Sequence, residues 1–389
     1  MKRFGLLPKI LIAIALGIIC GIWLPTGAVR IFSTFNSIFG EFLSFMIPLI
    51  ILGLVAPAIA EIGKEAGKLL LQTVILAYGF TLLAGILSYG VSVTSFPSFI
   101  DTRVDFDVQS QAVTPEPFFT ISMPPVMSVM TALILAFTLG LGMAYINSTK
   151  LQEVFQEFKE IIINTIESLI IPLLPIYIFG IFLSMTATGE VFRVLKVFAG
   201  IIGIIFLLHI FWLLFLYAIA GSITRKNPLR LLKNMLPAYF TALGTQSSAA
   251  TIPVTLEQTR KNGVSEGIAG FVIPLCATIH LSGSMLKIVA CAVALMMMQG
   301  IPYGFNLFIG FIFMLGITMV AAPGVPGGAI MAALGVLASM LGFGETDQAL
   351  MIALYIAMDS FGTACNVTGD GAIALIIDKF TKKEDKIVG

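Results

Sequence analysis

Gly244-Thr245-Gln246-Ser247-Ser248-Ala249-Ala250-Thr251-Ile252-Pro253 is a polar, serine-rich stretch inside an apolar chain. Basic residues flank it on both sides: Arg225, Lys226, Arg230 and Lys233 before it, Arg260 and Lys261 after it. Positive charge marks the cytoplasmic side of a membrane protein, so the segment is expected to dip into the bilayer and return to the side it left. Non-helical backbone at membrane depth survives only where protein buries it or where it lines a cavity. The stretch therefore points to a transporter or a channel.

The rest of the chain supports a bilayer setting. Hydrophobic residues fill 58% of 389 positions and only 11% are charged, with a mean hydropathy of +1.02. Several runs exceed the ~20 apolar residues that span a bilayer. A net charge of +1 argues against a nucleic-acid partner. Cys20, Cys276, Cys291 and Cys365 fall at irregular spacing in apolar segments and read as buried thiols, with neither a metal pattern nor a disulfide framework. The run from Leu6 to Pro25 behind Lys2 and Arg3 resembles a signal peptide, but it is long for one and reads as a retained anchor.

Apolar spans are expected near 6–25, 36–60, 69–96, 121–146, 161–186, 194–222, 268–299 and 348–377, with extra segments near 229–258 and 305–341. With a cytoplasmic N-terminus and both extra segments re-entrant, 17 of the 22 Lys and Arg residues fall inside. Only Arg30, Arg103, Arg193 and Lys196 fall outside, and Lys287 is left within a span. That bias predicts two cytoplasmic termini. It also turns the acidic loop Pro97–Pro117 (Asp101, Asp105, Asp107, Glu116) outward. The second extra segment breaks at Ala321-Ala322-Pro323-Gly324-Val325-Pro326-Gly327-Gly328, where Pro removes a donor and Gly frees φ. A Pro-kinked pair of ordinary spans would also fit. The preferred reading is two hairpins entering from opposite faces with tips near mid-membrane, an arrangement built on inverted repeats.

The last span carries its own signal. Asp359, Gly362, Thr363, Asn366 and Asp370 lie at helical spacing on one face. Ionisable residues inside a span cost about 2.5–3.5 kcal/mol each on insertion scales and are functional by default. Carboxylates satisfied within a polar helix contact are the structural alternative.

Four motifs carry a family resemblance, in order along the chain: Gln246-Ser247-Ser248-Ala249-Ala250-Thr251-Ile252-Pro253, Pro274 through Ser284, Gly324-Val325-Pro326-Gly327, and Asp359 through Asn366-Val367-Thr368-Gly369-Asp370. From Thr241 to Asp370 the chain resembles the sodium/dicarboxylate symporters, the glutamate and neutral amino-acid transporter family. The resemblance implies an all-α membrane protein of eight transmembrane helices and two re-entrant helical hairpins, assembled as a homotrimer in the lipid bilayer of a prokaryotic plasma or inner membrane. It implies an elevator in which scaffold helices (1–66, and 121–222 continuing into the sixth span) support a moving part. That part comprises a helix and outer loop (67–120) and a core with both hairpins (223–389).

The resemblance further implies that Asp359 holds a substrate ammonium, that Thr363 and Asn366 hold its polar atoms, and that Asp370 holds a cation. Gln246, Ser247, Ser248, Leu281, Ser284 and Val325 complete the substrate set. A zwitterion suits this combination of a buried anion and oriented N–H groups.

Departures from the family pattern narrow the expectation. Acidic-substrate members carry Arg where this chain has Gly362, and a guanidinium is what a side-chain carboxylate requires. Gly362 and Ser284, the latter replacing Thr, leave extra room and favour a neutral amino acid, with a sodium-coupled dicarboxylate or acidic amino acid as the alternative. The family's Asn-Met-Asp-Gly-Thr reads His280-Leu281-Ser282-Gly283-Ser284 here, and Ala77 and Tyr78 stand where hydroxyl ligands are usual. Hard cations need several oxygens, so sodium coupling is expected to be reduced, with one ion left to Asn366 and Asp370, or replaced by a proton or by no ion. Lys287, where the family has Tyr, must snorkel, deprotonate or pair with a carboxylate. His280 is either a coupling residue or a neutral core histidine bonded to backbone. His209, Glu41 and Glu167 read as contacts in helix interfaces.

Other function classes find less support. A channel needs a continuous polar pore, and no repeated polar stripe exists outside the hairpins and the last span. An intramembrane enzyme could use Ser247 or Ser248 with His280, but no Gly-x-Ser-x-Gly or His-Glu-x-x-His frame is present.

Overall fold

A run of proline-interrupted and glycine-interrupted apolar segments can satisfy its backbone in a bilayer only as helices, and helices are what form. The computed structural model describes residues 6–64, 68–98, 100, 116–146, 149–189, 191–320, 322 and 326–388. Lys2, Arg3, Val325 and the loop residues Asp101, Arg103, Asp105 and Asp107 lie outside the described residues. Among the described residues there is no strand.

The first half of the chain forms α1 (Leu6–Trp23), α2 (Thr26–Lys64), α3 (Lys68–Ser95), α4 (Val129–Tyr145), α5 (Thr149–Thr165), α6 (Ile171–Ala187) and α7 (Val191–Thr224). A π-helical turn over Ile166–Ile170 joins α5 to α6. Pro172 follows it directly; its missing N–H removes one rung from the ladder, and the backbone widens there. The Ser128 hydroxyl caps α4, accepting from the Thr131 amide at 3.2 Å. Helix begins only at Val129, so the span expected over 121–146 shrinks to 17 residues. Among the described residues, seven helical segments are long and apolar enough to cross a membrane.

The second half alternates half-length helices. α8 (Pro228–Thr245) and α9 (Ser248–Lys261) form the first hairpin. α10 (Glu266–Ile279) and α11 (Ser282–Met298) form one broken span. α12 (Phe305–Met319) and α13 (Gly328–Leu341) form the second hairpin, and α14 (Glu345–Ala357) and α15 (Asp359–Val388) are separated by Met358 alone. The first hairpin turns at Gln246, whose left-handed φ of 54° reverses the chain.

The break inside 268–299 corrects the expectation of one continuous span. No Pro or Gly stands at His280-Leu281, so local sequence does not announce it. Neighbouring helices take up the backbone groups instead: the Leu281 amide donates to Thr81 Oγ1 of α3 at 3.3 Å, and the Gly283 amide to Asn366 Oδ1 of α15 at 2.7 Å. A helix may end in apolar surroundings when its orphan N–H groups are satisfied this way.

Packing assembles two apolar cores. One gathers α2, α4, α6 and the first half of α7 with α11, α12, α13 and α14. The other gathers Trp212 and Tyr217 of α7 with α8, α10 and α15. α11 lies between them with all of its 17 residues buried, as expected of a helix apolar on every side. Lys287 is the exception on that helix, and it sits at 0% exposure.

Candidate functional site

Each break in a helix brings a polar side chain or a helix start to one place. A cavity there is lined by Gln246 and Ser248 from the first hairpin tip, Ala277, Thr278, Leu281 and Ser284 from the α10–α11 break, Ala322 and Ala329 from the second hairpin, and Tyr355, Asp359, Thr363 and Asn366 from the α14–α15 junction. α9, α11, α13 and α15 all begin at its edge. Helix N-termini carry a partial positive charge and unsatisfied N–H groups, so four of them converging favour an anionic group such as a carboxylate.

Most residues expected in the substrate set meet here: Gln246, Ser248, Leu281, Ser284, Asp359, Thr363 and Asn366. Ser247 does not line the cavity; its hydroxyl caps α9, accepting from the Ala250 amide at 3.2 Å. Gln246 Nε2 donates to Ser360 Oγ at 2.8 Å and ties the first tip to α15. Val325 lies outside the described residues. Tyr355 is the main residue that sequence reasoning missed. It precedes Asp359 by four positions and so continues the polar stripe, but an aromatic residue in an apolar run carries no separate signal. Its hydroxyl bonds Ser284 Oγ at 2.9 Å, and Asn366 Nδ2 donates to the same Ser284 oxygen at 3.3 Å.

The reading of Gly362 needs correction. The position leaves no extra room, because Lys287 fills it: a Cβ built on Gly362 would lie 2.5 Å from both Cε and Nζ of the lysine. Lys287 neither snorkels nor stands alone. Its Nζ lies 3.2 Å from Asp359 Oδ1, 3.4 Å from the Met358 carbonyl oxygen and 3.5 Å from the Tyr355 ring centroid. A buried cation is tolerable only when paired and hydrogen-bonded, and these three contacts meet that need, the ring by cation–π attraction. The second carboxylate oxygen, Asp359 Oδ2, accepts from the Gly327 amide of the second hairpin at 2.9 Å.

A second pair repeats the pattern one helical stretch further along α15. His280 Nδ1 lies 2.8 Å from Asp370 Oδ1, with both side chains buried. Of the two readings of His280, the partner is thus a carboxylate and not backbone. A Cβ on Gly369 would fall 2.5 Å from His280 Cε1, so this glycine makes room for the imidazole as Gly362 does for the ammonium.

The side chains expected to hold sodium have other partners. Asp370 Oδ1 meets His280 Nδ1, and Asn366 Oδ1 accepts from the Gly283 amide. Ser282, which stands in place of a family carboxylate, has a buried hydroxyl with no hydrogen-bond partner among the described residues. In α3, Ala77 offers no side-chain oxygen, and the Tyr78 hydroxyl donates to the Phe313 carbonyl of α12 at 3.0 Å.

Two of the interface expectations find partners. His209 Nε2 meets the Gly283 carbonyl at 3.0 Å, and Glu41 Oε2 accepts from the Met123 amide at 2.9 Å. Glu167 sits exposed on the π turn instead of in a helix interface. Cys276, Cys291 and Cys365 are buried free thiols, and Cys20 is half-buried.

Comparison with known proteins identifies the family. The family model described as the sodium:dicarboxylate symporter family matches residues 6–380. The chain belongs to that family. It is a family of transporters and not of enzymes, and this member is a multi-pass membrane protein. Over 398 residues the chain is 26% identical to the serine/threonine transporter SstT of Acinetobacter baylyi, covering 98% of this chain and 99% of the relative. The SstT of Acinetobacter baumannii is 27% identical over 394 residues, with 97% of each chain covered. The mouse excitatory amino acid transporter 3 is 38% identical over 167 residues, 42% of this chain and 31% of that one. The sodium:dicarboxylate symporter family thus covers nearly all of the chain, while Lys287 and His280 pair with Asp359 and Asp370 of α15 beside the cavity.

Proposed function

We propose that this member is a secondary transporter of a neutral amino acid that needs little or no sodium. The observation that carries the reading is the Lys287–Asp359 pair at 3.2 Å. With ammonium and carboxylate together, the empty site is electrically neutral, and a zwitterion adds no net charge. Taking an uncompensated charge through a low-dielectric interior is costly, and a neutral cargo in a neutral site avoids that cost without a guest cation. The His280–Asp370 contact supports the same conclusion, since it engages the carboxylate that a coupling ion would need. A relative named for serine and threonine supports a small neutral substrate.

The substrate carboxylate would meet the converging starts of α9, α11 and α13, and its ammonium would meet Asp359. We further propose a homotrimer with cytoplasmic termini, and eight spans divided into a scaffold (1–66 and 121–222) and a moving part (67–120 and 223–389) that carries the hairpins as an elevator. A second reading has one observation in its favour. Lys287 brings a cation to the place of the guanidinium of acidic-substrate members, so an acidic side chain could pair with it once a substrate ammonium held Asp359. A thermal-shift screen of twenty amino acids with the purified protein, with and without sodium, separates the two, because ligand stabilises by mass action. Stabilisation by small neutral amino acids irrespective of sodium is expected. Stabilisation chiefly by aspartate or glutamate, and only with sodium, would overturn the reading.

A further inference from the structure

We propose that Lys287 is a tethered occupant of the ammonium subsite, holding Asp359 in the empty transporter and yielding it to the substrate, so that the empty site can return and transport is net rather than obligatory exchange. The inference rests on the transport reading above and goes beyond it.

The geometry makes such a substitution feasible. Asp359 lines the cavity, whereas Lys287 lies behind it at 0% exposure. A substrate ammonium therefore approaches Asp359 from the cavity side, while Lys287 gives up Oδ1 by turning its head group and keeps its stem buried behind the carboxylate. Lys287 is not stranded when it yields, because the Met358 carbonyl at 3.4 Å and the Tyr355 ring at 3.5 Å remain beside it. An ammonium has three donors on a flexible stem, so a small rotation of the head can move weight from one acceptor to another. Gly362 holds the stem in register, since any side chain there would collide with Cε and Nζ.

The same pair bears on closure of the empty site. Asp359 Oδ2 accepts from the Gly327 amide, joining the second hairpin to α15. Without Lys287, a substrate-free site would bury Asp359 as an unpaired carboxylate, which burial disfavours strongly. A transporter so altered must load a substrate, or another cation, before it closes. A ligand shifts a conformational equilibrium only through its differential affinity for the two states, and here the favoured ligand of the empty closed state is part of the chain.

The test uses the full-length protein in proteoliposomes with radiolabelled L-serine. Net uptake is measured into vesicles without internal amino acid, and exchange into vesicles preloaded with unlabelled L-serine. The unmodified protein is expected to do both. In Lys287→Met the ratio of net uptake to exchange should fall by about tenfold or more. In Lys287→Ala, which leaves a space shaped for the lost head group, added methylammonium should raise that ratio again. Elution of each variant as a single species in detergent checks folding, and the methylammonium response reads the role of the cation even in a weakened variant. An unchanged ratio in both variants, or equal loss of both activities with no response to methylammonium, would overturn the inference. Exchange without net uptake by the unmodified protein would overturn it too, while leaving the transport reading standing. Failure of the unmodified protein to move L-serine in either mode would instead count against the neutral-substrate reading, and the inference would fall with it.

Discussion

A Cβ at position 362 meets Cε and Nζ of Lys287 at 2.5 Å, so Gly362→Ala must push the lysine off its carboxylate or shift α15. Overpacking of this kind costs about 1–3 kcal/mol. Thermal unfolding in detergent should show the loss, and Lys287→Ala in the same chain should relieve it. A guanidinium at 362 likewise needs the lysine gone. Gly362→Arg with Lys287→Ala should move preference toward acidic amino acids in a competition assay, whereas Gly362→Arg alone should be inactive. Removing the other partner has a different signature. Asp359→Asn leaves a buried cation without a counter-charge, which costs about 3–5 kcal/mol. Transport should vanish, and Asp359→Asn with Lys287→Met should be more stable than Asp359→Asn alone. Additive effects of the two changes in a double-mutant cycle would deny the coupling. At this scale the stripe from Asp359 to Asp370 was legible, because spacing alone puts those residues on one helix face. The pairing of Lys287 was not: three fates were open to a lone lysine, and only the distance between α11 and α15 chooses among them. That distance also inverted the meaning of Gly362, from room for substrate to room for a lysine.

The two hairpins were readable at the level of elements, since basic flanks and the Ser-rich tip mark the first and the Pro-Gly break marks the second. The breaks at His280–Leu281 and Met358 left none. Thr81 and Asn366, more than 80 residues away on α3 and α15, satisfy the amides that the first break frees, and remote partners do not register in local propensity. One consequence concerns ion binding. His280 and Ser282 stand where the resembled family has Asn and Asp, and His280 now engages Asp370. Restoring those residues by His280→Asn with Ser282→Asp should free Asp370 and add a carboxylate, building the several oxygens that a hard cation needs. Sodium should then raise the unfolding temperature of the double variant while leaving that of the unmodified protein in place. A sodium-dependent shift of equal size in both proteins would mean that ion binding never depended on this break.

For the molecule as a whole, the helices pack into two apolar cores with α11 between them, and Lys287 on that central helix, paired with Asp359, is the proposed source of a neutral site. Composition made the bilayer legible from the outset, and the charge bias of the loops predicted an orientation. How many helices cross and which of them move were matters of resemblance and not of composition, since a helix such as α4, at 17 residues, sits at the lower edge of what spans a bilayer. Neutrality of the empty and of the loaded site is the central claim, and it bears on the whole transport cycle. The most direct test is the initial rate of L-serine uptake into proteoliposomes as external sodium is replaced by choline at constant osmolarity. If Lys287 and His280 take the place of guest ions, the rate should stay within about twofold across the replacement. A steep, cooperative rise of the rate with sodium, from nearly nothing in its absence, would contradict that claim.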